Sequence, residues 1–316
     1  MKNIDKKDER LLLELYNNGR ASITEMASKI GLSKEATNYR LKRLQNEGIL
    51  LKIVPIIDFS ALGYSTYRIQ VLLNPEGKKK KAEIEEELKK LKILSWLVKL
   101  SGAWDYVFLF NSRSNLEFSK TYEEFIIKFG KYIDKKISSL VFSITHFPLT
   151  YLYGGERNYL KQEMKTKNFS LDENQKKIIE LLEEDGRITL LEMARRMDVS
   201  LTTVKYHLQI LEKKRIIFSY KPLINLDKFN YEHFKVMIEL ADTSQKKILK
   251  EVLTNNPHTV YITDAWGKYD LEFECHYKSI HDLLRYIEKL EESIYIKKYD
   301  LIFTNEELLI NGMPDE

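Results

Sequence analysis

Apolar residues recur at spacings of three and four along residues 6–47, the period of helices that each bury one face. Leu11, Leu12 and Leu15 mark the inner side of a helix over 6–17. Asn18-Gly19 ends it, glycine being common just past a helix end. Ser22 and Thr24 are placed to cap a short helix through Ile30, with Met26, Ala27 and Ile30 turned inward. Gly31-Leu32-Ser33 reads as a tight turn, and Ser33 opens a longer helix that stops at Gly48. Its apolar stripe is Thr37, Leu41 and Leu44; Lys34, Asn38, Arg40 and Lys42 lie opposite, free to meet something acidic. Three helices with a short glycine-containing turn between the last two have the shape of a helix-turn-helix. Residues 49–57 then read as extended, with Pro55 suited to an edge or exit position.

Beyond this the pattern changes. Residues 67–73 are strand-like, Asn74-Pro75-Glu76-Gly77 reads as a turn, and 79–91 as a helix with Ile84, Leu88 and Leu91 inward. Two short strands, 96–100 and 106–110, flank Ser101-Gly102-Ala103; a helix over 115–129 and a long strand over 137–149 follow. The order βαββαβ is ferredoxin-like. Residues 154–168 are polar and read as a connector.

The whole plan then returns. Residues 5–64 align without a gap on 172–231, pairing Gly19 with Gly186, Arg20 with Arg187, Met26 with Met193, Ser33 with Ser200, Tyr39 with Tyr206, Leu41 with Leu208 and Pro55 with Pro222. At a slightly smaller offset Gly102-Ala103-Trp104-Asp105 aligns with Gly267-Lys268-Tyr269-Asp270. The second copy predicts helices to 214, a strand over 233–240, a helix over 245–255, strands near 260–263 and 271–276, a helix over 279–290 and a strand over 294–303. The expected fold is therefore α+β: two copies of a (winged) helix-turn-helix domain followed by a ferredoxin-like βαββαβ domain. The expected boundaries are 1–58, 59–153, a linker over 154–170, then 171–225 and 226–316.

Composition narrows the class without naming a function. The 316 residues are 43% hydrophobic and 11% aromatic, as in a folded globular chain. Formal net charge is +4, from 51 basic and 47 acidic residues, so only a local basic patch argues for nucleic acid. The single cysteine, Cys275, forms no internal disulfide, which suits a reducing, cytoplasmic setting. The start is charged and shows no secretory signal, and no apolar run reaches membrane-spanning length, so no membrane partner is expected. The six histidines show no metal spacing, and neither a phosphate-binding glycine loop nor a nucleophile elbow is present. No cofactor is expected.

The run from Asp5 through Asn18-Gly19-Arg20, Glu25-Met26-Ala27, Ile30-Gly31-Leu32-Ser33 and Arg40-Leu41-Lys42-Arg43-Leu44 to Glu47-Gly48-Ile49 resembles the opening of Lrp/AsnC ("feast/famine") transcriptional regulators. Ala61-Leu62-Gly63-Tyr64, the βαββαβ order and Gly-x-aromatic-Asp between its middle strands resemble that family's effector domain. The resemblance covers nearly the whole chain, twice. It implies a DNA-binding regulator that assembles through its ferredoxin-like sheets, and an effector such as an amino acid bound between them. Within it the second copy departs: Asp198 stands for Gly31, Leu201 for Lys34 and Arg215 for Gly48. Aspartate tolerates positive φ, so the turn survives.

A helix fits the major groove, its first turns reaching base edges while cations hold phosphates. On that picture Ser33, Lys34, Glu35, Asn38 and Tyr39 face bases, and Arg40, Lys42 and Arg43 face the DNA backbone. In the second copy Ser200, Leu201, Thr202, Lys205 and Tyr206 face bases, with His207 nearby. The plain alternative is a solvated charged face. Gly102, Trp104, Asp105, Gly267, Tyr269 and Asp270 are effector-site candidates: glycine leaves room and aspartate accepts from an ammonium. Equally, each aspartate fastens backbone while the aromatic packs. The lysines of 78–81 suit either DNA contact outside the heads or a solvated basic face, and read first as the latter. The expectation is a regulator modulated by a small molecule, one chain imitating a dimer, and not an enzyme. The rival class is a tetrapyrrole enzyme of the siroheme-decarboxylase kind on the same layout.

Overall fold

The computed structural model describes residues 4–165 and 167–309. The first copy opens with helices α1 (Lys6–Asn17), α2 (Ile23–Ile30) and α3 (Lys34–Asn46) and strand β1 (Leu50–Ile57). Strand β2 (Ser65–Leu73), helices α4 (Pro75–Lys79) and α5 (Lys81–Lys89), strands β3 (Leu94–Gly102) and β4 (Tyr106–Ser112), helix α6 (Asn115–Phe129) and strand β5 (Ile133–His146) follow. Helix α7 (Thr150–Tyr153) and strand β6 (Leu160–Glu163) connect the copies. The second copy has helices α8 (Glu173–Glu184), α9 (Leu190–Met197) and α10 (Leu201–Lys213), then strands β7 (Ile217–Ile224) and β8 (Glu232–Leu240). It closes with α11 (Lys246–Asn255), β9 (Thr259–Trp266), β10 (Leu271–Tyr277), α12 (Ile280–Glu291) and β11 (Ile296–Leu309).

The expected α+β class and the two copies are both present, with local corrections. The residues read as a turn at 74–77 begin a helix: the Asn74 side chain accepts from the Gly77 N–H and Pro75 sits in the first turn. Lys80 leaves helical geometry, so the helix expected over 79–91 is split into α4 and α5. Strand β5 ends at His146, two residues before Pro148, which has no N–H for a ladder. The polar connector holds β6, which pairs with β5 from Ser143↔Glu163 to His146↔Leu160.

The elements sort by kind rather than by copy, into two compact units. One comprises residues 1–62, 147–159 and 168–232; the other comprises 63–146, 160–167 and 233–316.

In the first unit, Leu11, Leu12 and Leu15 of α1 pack with Met26, Ile30, Leu41 and Leu44, all buried. Each such side chain contributes about 1.5–3 kcal/mol through burial. The equivalent core is Ile178, Ile179, Leu182, Met193, Val204, Leu208 and Leu211. Serine caps start both third helices, Ser33 accepting from the Ala36 N–H and Ser200 from the Thr203 N–H. Gly31 and Asp198 take the left-handed conformation at the two turns, φ 66° and 53°. Arg215 shares this conformation with Gly48, at φ 59° and 65°.

In the second unit each copy forms a four-stranded antiparallel sheet, β5-β2-β4-β3 and β11-β8-β10-β9. The sheets join at both edges, β3 to β11 and β9 to β5, so eight strands close into a ring, with β6 added outside β5. Closure removes the unpaired edges that an open sheet exposes. Alternation along the strands sets two cores. Ile69, Val71 and Leu73 turn to α5 and α6, meeting Ile84, Leu88, Phe125 and Phe129. On the opposite face a core drawn from both copies contains Val98, Leu100, Trp104, Val107, Met237, Tyr269 and Ile302.

Candidate nucleic-acid interface

The two helix-turn-helix heads are bound to each other. β1 pairs antiparallel with β7, placing Pro55 opposite Tyr220 and Ile53 opposite Pro222. Arg20 donates to the carbonyls of Gly186 and Ile188 at 2.7 and 3.0 Å. Arg187 returns the arrangement, donating to Gly19 and Ala21 at 2.5 and 2.9 Å. Charged donors on carbonyls are among the stronger hydrogen bonds, about 1.5–3 kcal/mol each. The Arg187 guanidinium, pressed by burial and by Arg20, is pushed below its ordinary pKa.

Gly19 and Gly186 matter here for a reason other than helix ending. Neither is among the positive-φ glycines, and the residue at the end of α1 is Asn18 in extended geometry. A Cβ on Gly186 would stand 2.5 Å from the Ile53 carbonyl oxygen, and one on Gly19 2.9 Å from Ile53 Cγ2 and Tyr220 Cβ. Glycine is required because the two heads approach backbone to side chain and backbone to backbone.

On α3, Ser33, Lys34, Glu35, Asn38, Tyr39 and Lys42 are exposed, Tyr39 by 68%. On α10, Ser200, Leu201, Thr202, Lys205 and Tyr206 are exposed, Leu201 by 49% and Tyr206 by 61%. Tyr206 rests edge-on against the His207 ring, and the exposed faces of these side chains are open to a partner. Three candidates are differently engaged. Arg40 meets Asp5 at 2.7 Å and Asp8 at 2.8 Å, and Arg43 meets Asp8 at 2.5 Å. Asp8 is fully buried, and its carboxylate also accepts from the Asp5 N–H in the cap of α1. Burial raises the Asp5 carboxyl, but Arg40 and the N–H groups of Asp8 and Lys7 outweigh it and hold it below its usual value. The two guanidiniums therefore fasten α3 to α1 before they meet any phosphate. In the second head Gln175 and Ile210 stand for Asp8 and Arg43, and His207, half-buried, lies 3.2 Å from Asp172.

The six effector candidates are woven into the ring. Asp105 accepts from the Leu73 N–H at 2.9 Å and pairs with Lys81 at 3.1 Å; Asp270 accepts from the Leu240 N–H at 2.7 Å. Trp104 and Tyr269 are buried in the shared core, and the Tyr269 hydroxyl donates to Asp300. Gly102, at φ 102°, leaves no room for a Cβ, which would stand 2.5 Å from the Leu301 carbonyl oxygen; one on Gly267 would stand 2.7 Å from Ser139 Cβ. The glycines make room for the other copy's strand. Nearby, three of the four lysines of 78–81 are met by carboxylates: Lys79 by Glu76, Lys80 by Glu83 and Lys81 by Asp105.

A polar cluster on the same face of the ring had no mark in the sequence. Arg68 of β2 and Glu272 of β10 form an ion pair with each side chain only 3% exposed. Lys235 lies 3.1 Å from Glu272 and 3.0 Å from Glu274. His233 bridges Glu274 and His276, at 3.1 and 2.9 Å. Burial raises Glu274, but Lys235 and His233 more than reverse it, while burial holds the His276 imidazole well below its ordinary value. No repeat could reveal the cluster, because Val107, Leu109 and Asn111 occupy the places of the two glutamates and His276 in the first copy.

Two paired helix-turn-helix heads, each with an exposed recognition helix, define a DNA-binding architecture. A winged helix-turn-helix DNA-binding family model matches residues 4–50 and 171–217. An HTH-type transcriptional regulator of Pyrococcus horikoshii is 31% identical over 103 residues, spanning 32% of this chain and 69% of that protein. A second from the same organism is 30% identical over 122 residues, spanning 39% and 77%. The chain belongs to the HTH-type transcriptional regulators, and its helix-turn-helix module is duplicated in tandem. Among solved structures, siroheme decarboxylase NirDL, alone and with an iron-uroporphyrin III analogue, is similar over 98% of this chain and 94% of its own. The TM-score is 0.65 and the identity 14%. That likeness is one of fold, and it overturns the expectation that the chain is not an enzyme. A siroheme decarboxylase is similar in fold over nearly the whole of this chain, so the fold by itself does not separate the two classes.

Proposed function

We propose that the chain binds duplex DNA through both heads at once, acting as a dimer built from one polypeptide. The observation that carries this reading is the reciprocal joining of the heads, the β1–β7 ladder with Arg20 and Arg187 each donating into the other head. It presents two exposed recognition helices from one body, as a two-fold regulator dimer does. Lys34 and Lys42 of the first head and Lys205 of the second are exposed cations on those helices. They add unshared positive charge along the recognition helices, where Arg40 and Arg43 are already engaged by Asp5 and Asp8. The test is fluorescence anisotropy of the full chain on sheared genomic duplex across a salt series. Wild type is expected to bind with a steep salt slope. Lys34→Ala/Lys42→Ala/Lys205→Ala is expected to bind more weakly and with a shallower salt slope. Equal affinity of the two proteins for duplex would overturn the reading.

A second reading is favoured by the end-to-end likeness to siroheme decarboxylase NirDL, a tetrapyrrole enzyme by its name. On this reading the chain takes an iron tetrapyrrole. Titration with an iron-uroporphyrin followed by visible absorbance tests it. A saturable spectral change at one equivalent, with no duplex binding at moderate salt, would place the chain with the enzyme.

A further inference from the structure

The paired heads present the same scaffold with different chemistry. Both recognition helices begin at a capping serine, Ser33 or Ser200, and both expose a tyrosine at the same place, Tyr39 or Tyr206. Between these fixed points every exposed position has changed. Lys34 corresponds to Leu201, Glu35 to Thr202, and Asn38 to Lys205; one turn further on, Lys42 corresponds to Gln209. All eight side chains are exposed. The buried stripe beneath them keeps its character: Thr37, Leu41 and Leu44 against Val204, Leu208 and Leu211. The helices have thus diverged on the side that meets a partner and stayed alike on the side that meets their own core.

The chemistry of the changed positions is specific to bases. An asparagine amide donates and accepts at once, matching N6 and N7 of adenine in the major groove. A lysine only donates, matching O6 and N7 of guanine. An exposed leucine offers nothing to a hydrogen-bonding edge and fits the thymine methyl, whereas a lysine at that place does not. We infer that the two heads read unlike half-sites: adenine opposite Asn38 in one, guanine opposite Lys205 with a thymine methyl against Leu201 in the other. The operator is then not a palindrome, and the chain sits on it in one orientation. Tyr39 and Tyr206 supply the contact that the two halves share. This inference rests on the DNA-binding reading above and adds the sequence read to it.

Selection of bound duplexes from a randomised pool by the full chain, at one stated salt concentration, tests it. Wild type is expected to enrich a site with two unlike halves. Asn38→Lys is expected to replace adenine by guanine in one half alone, and Lys205→Asn to make the opposite change in the other. Each swap should alter the preference at its own base pair by about tenfold or more. Both substitutions lie on exposed faces, and unchanged circular dichroism and melting confirm that the variants fold. Like halves in the wild-type site would overturn the inference, as would swaps that change no base preference. Salt-dependent retention of the pool with no sequence enriched would overturn it too, while leaving the DNA-binding reading standing. No retention of any duplex would overturn both.

Discussion

Replacing Arg68 with methionine should destabilise the ring of strands severely while leaving the heads folded. Arg68 and Lys235 face Glu272 and Glu274, two cations against two carboxylates, with Arg68, Lys235 and Glu272 almost wholly excluded from solvent. Methionine keeps much of the side chain's length but leaves the buried Glu272 without its Arg68 partner, sharing Lys235 with Glu274. Breaking a buried pair from one side costs about 3–5 kcal/mol. Removing both partners is different: Arg68→Met/Glu272→Met leaves Lys235 with Glu274, and an apolar pair of similar volume is often neutral. The double variant should therefore recover most of the loss. All three tryptophans, Trp96, Trp104 and Trp266, lie in the ring unit, so urea unfolding followed by tryptophan emission reports this unit selectively, with linear extrapolation giving its stability. A loss below about 1 kcal/mol for Arg68→Met, the size of an ordinary substitution, or a double variant no more stable than the single, would refute the reasoning.

Other predictions concern the heads and the seam. Gly186→Ala drives a Cβ against the Ile53 carbonyl; overpacking of this kind costs about 1–3 kcal/mol, and thermal unfolding by far-ultraviolet circular dichroism should show it. Glu183 of α8 has a buried oxygen with no hydrogen-bond partner, and burial pushes its carboxyl up to about 8. The folded state then holds a proton that the unfolded chain releases near 4.5, so this contribution is full below that pH and is lost as pH rises toward about 8. Glu183→Gln should flatten that slope in urea unfolding measured from pH 5 to 9. Asp105→Ala removes the acceptor of the Leu73 N–H and the partner of Lys81, and should lower the ring's stability by about 1–3 kcal/mol in the tryptophan assay.

What the chain disclosed, and what it hid, follows from the range of each interaction. Capping serines, helical stripes and the alignment of Asp5 with Asp172 are local or repetitive, and the two copies emerged from them. The exchange of partners between copies is not local. Nothing near Gly19 says that its missing Cβ makes room for Tyr220, and a glycine after a helix has a simpler local explanation. Gly102 and Gly267 are the same case: each reads as space for a ligand until the other copy's strand fills it. Arg40 and Arg43 look like free cations in a basic run, because the carboxylate that holds them, Asp8, lies a whole helix earlier. The Arg68–Glu272 pair joins residues 204 apart in the chain, and since only one copy carries the acids, the internal repeat that exposed so much else gave no hint of it.

The two heads, joined by the β1–β7 ladder, are expected to act on DNA as one rigid body. Footprinting of the full chain on its selected duplex, repeated with about five base pairs inserted between the two protected segments, half a helical turn, tests it most directly. Two protected segments on the original duplex, with the insertion moving one half-site to the far side of the helix and abolishing joint protection, is the predicted result. Protection of a single segment, or joint protection that survives the insertion, would contradict it.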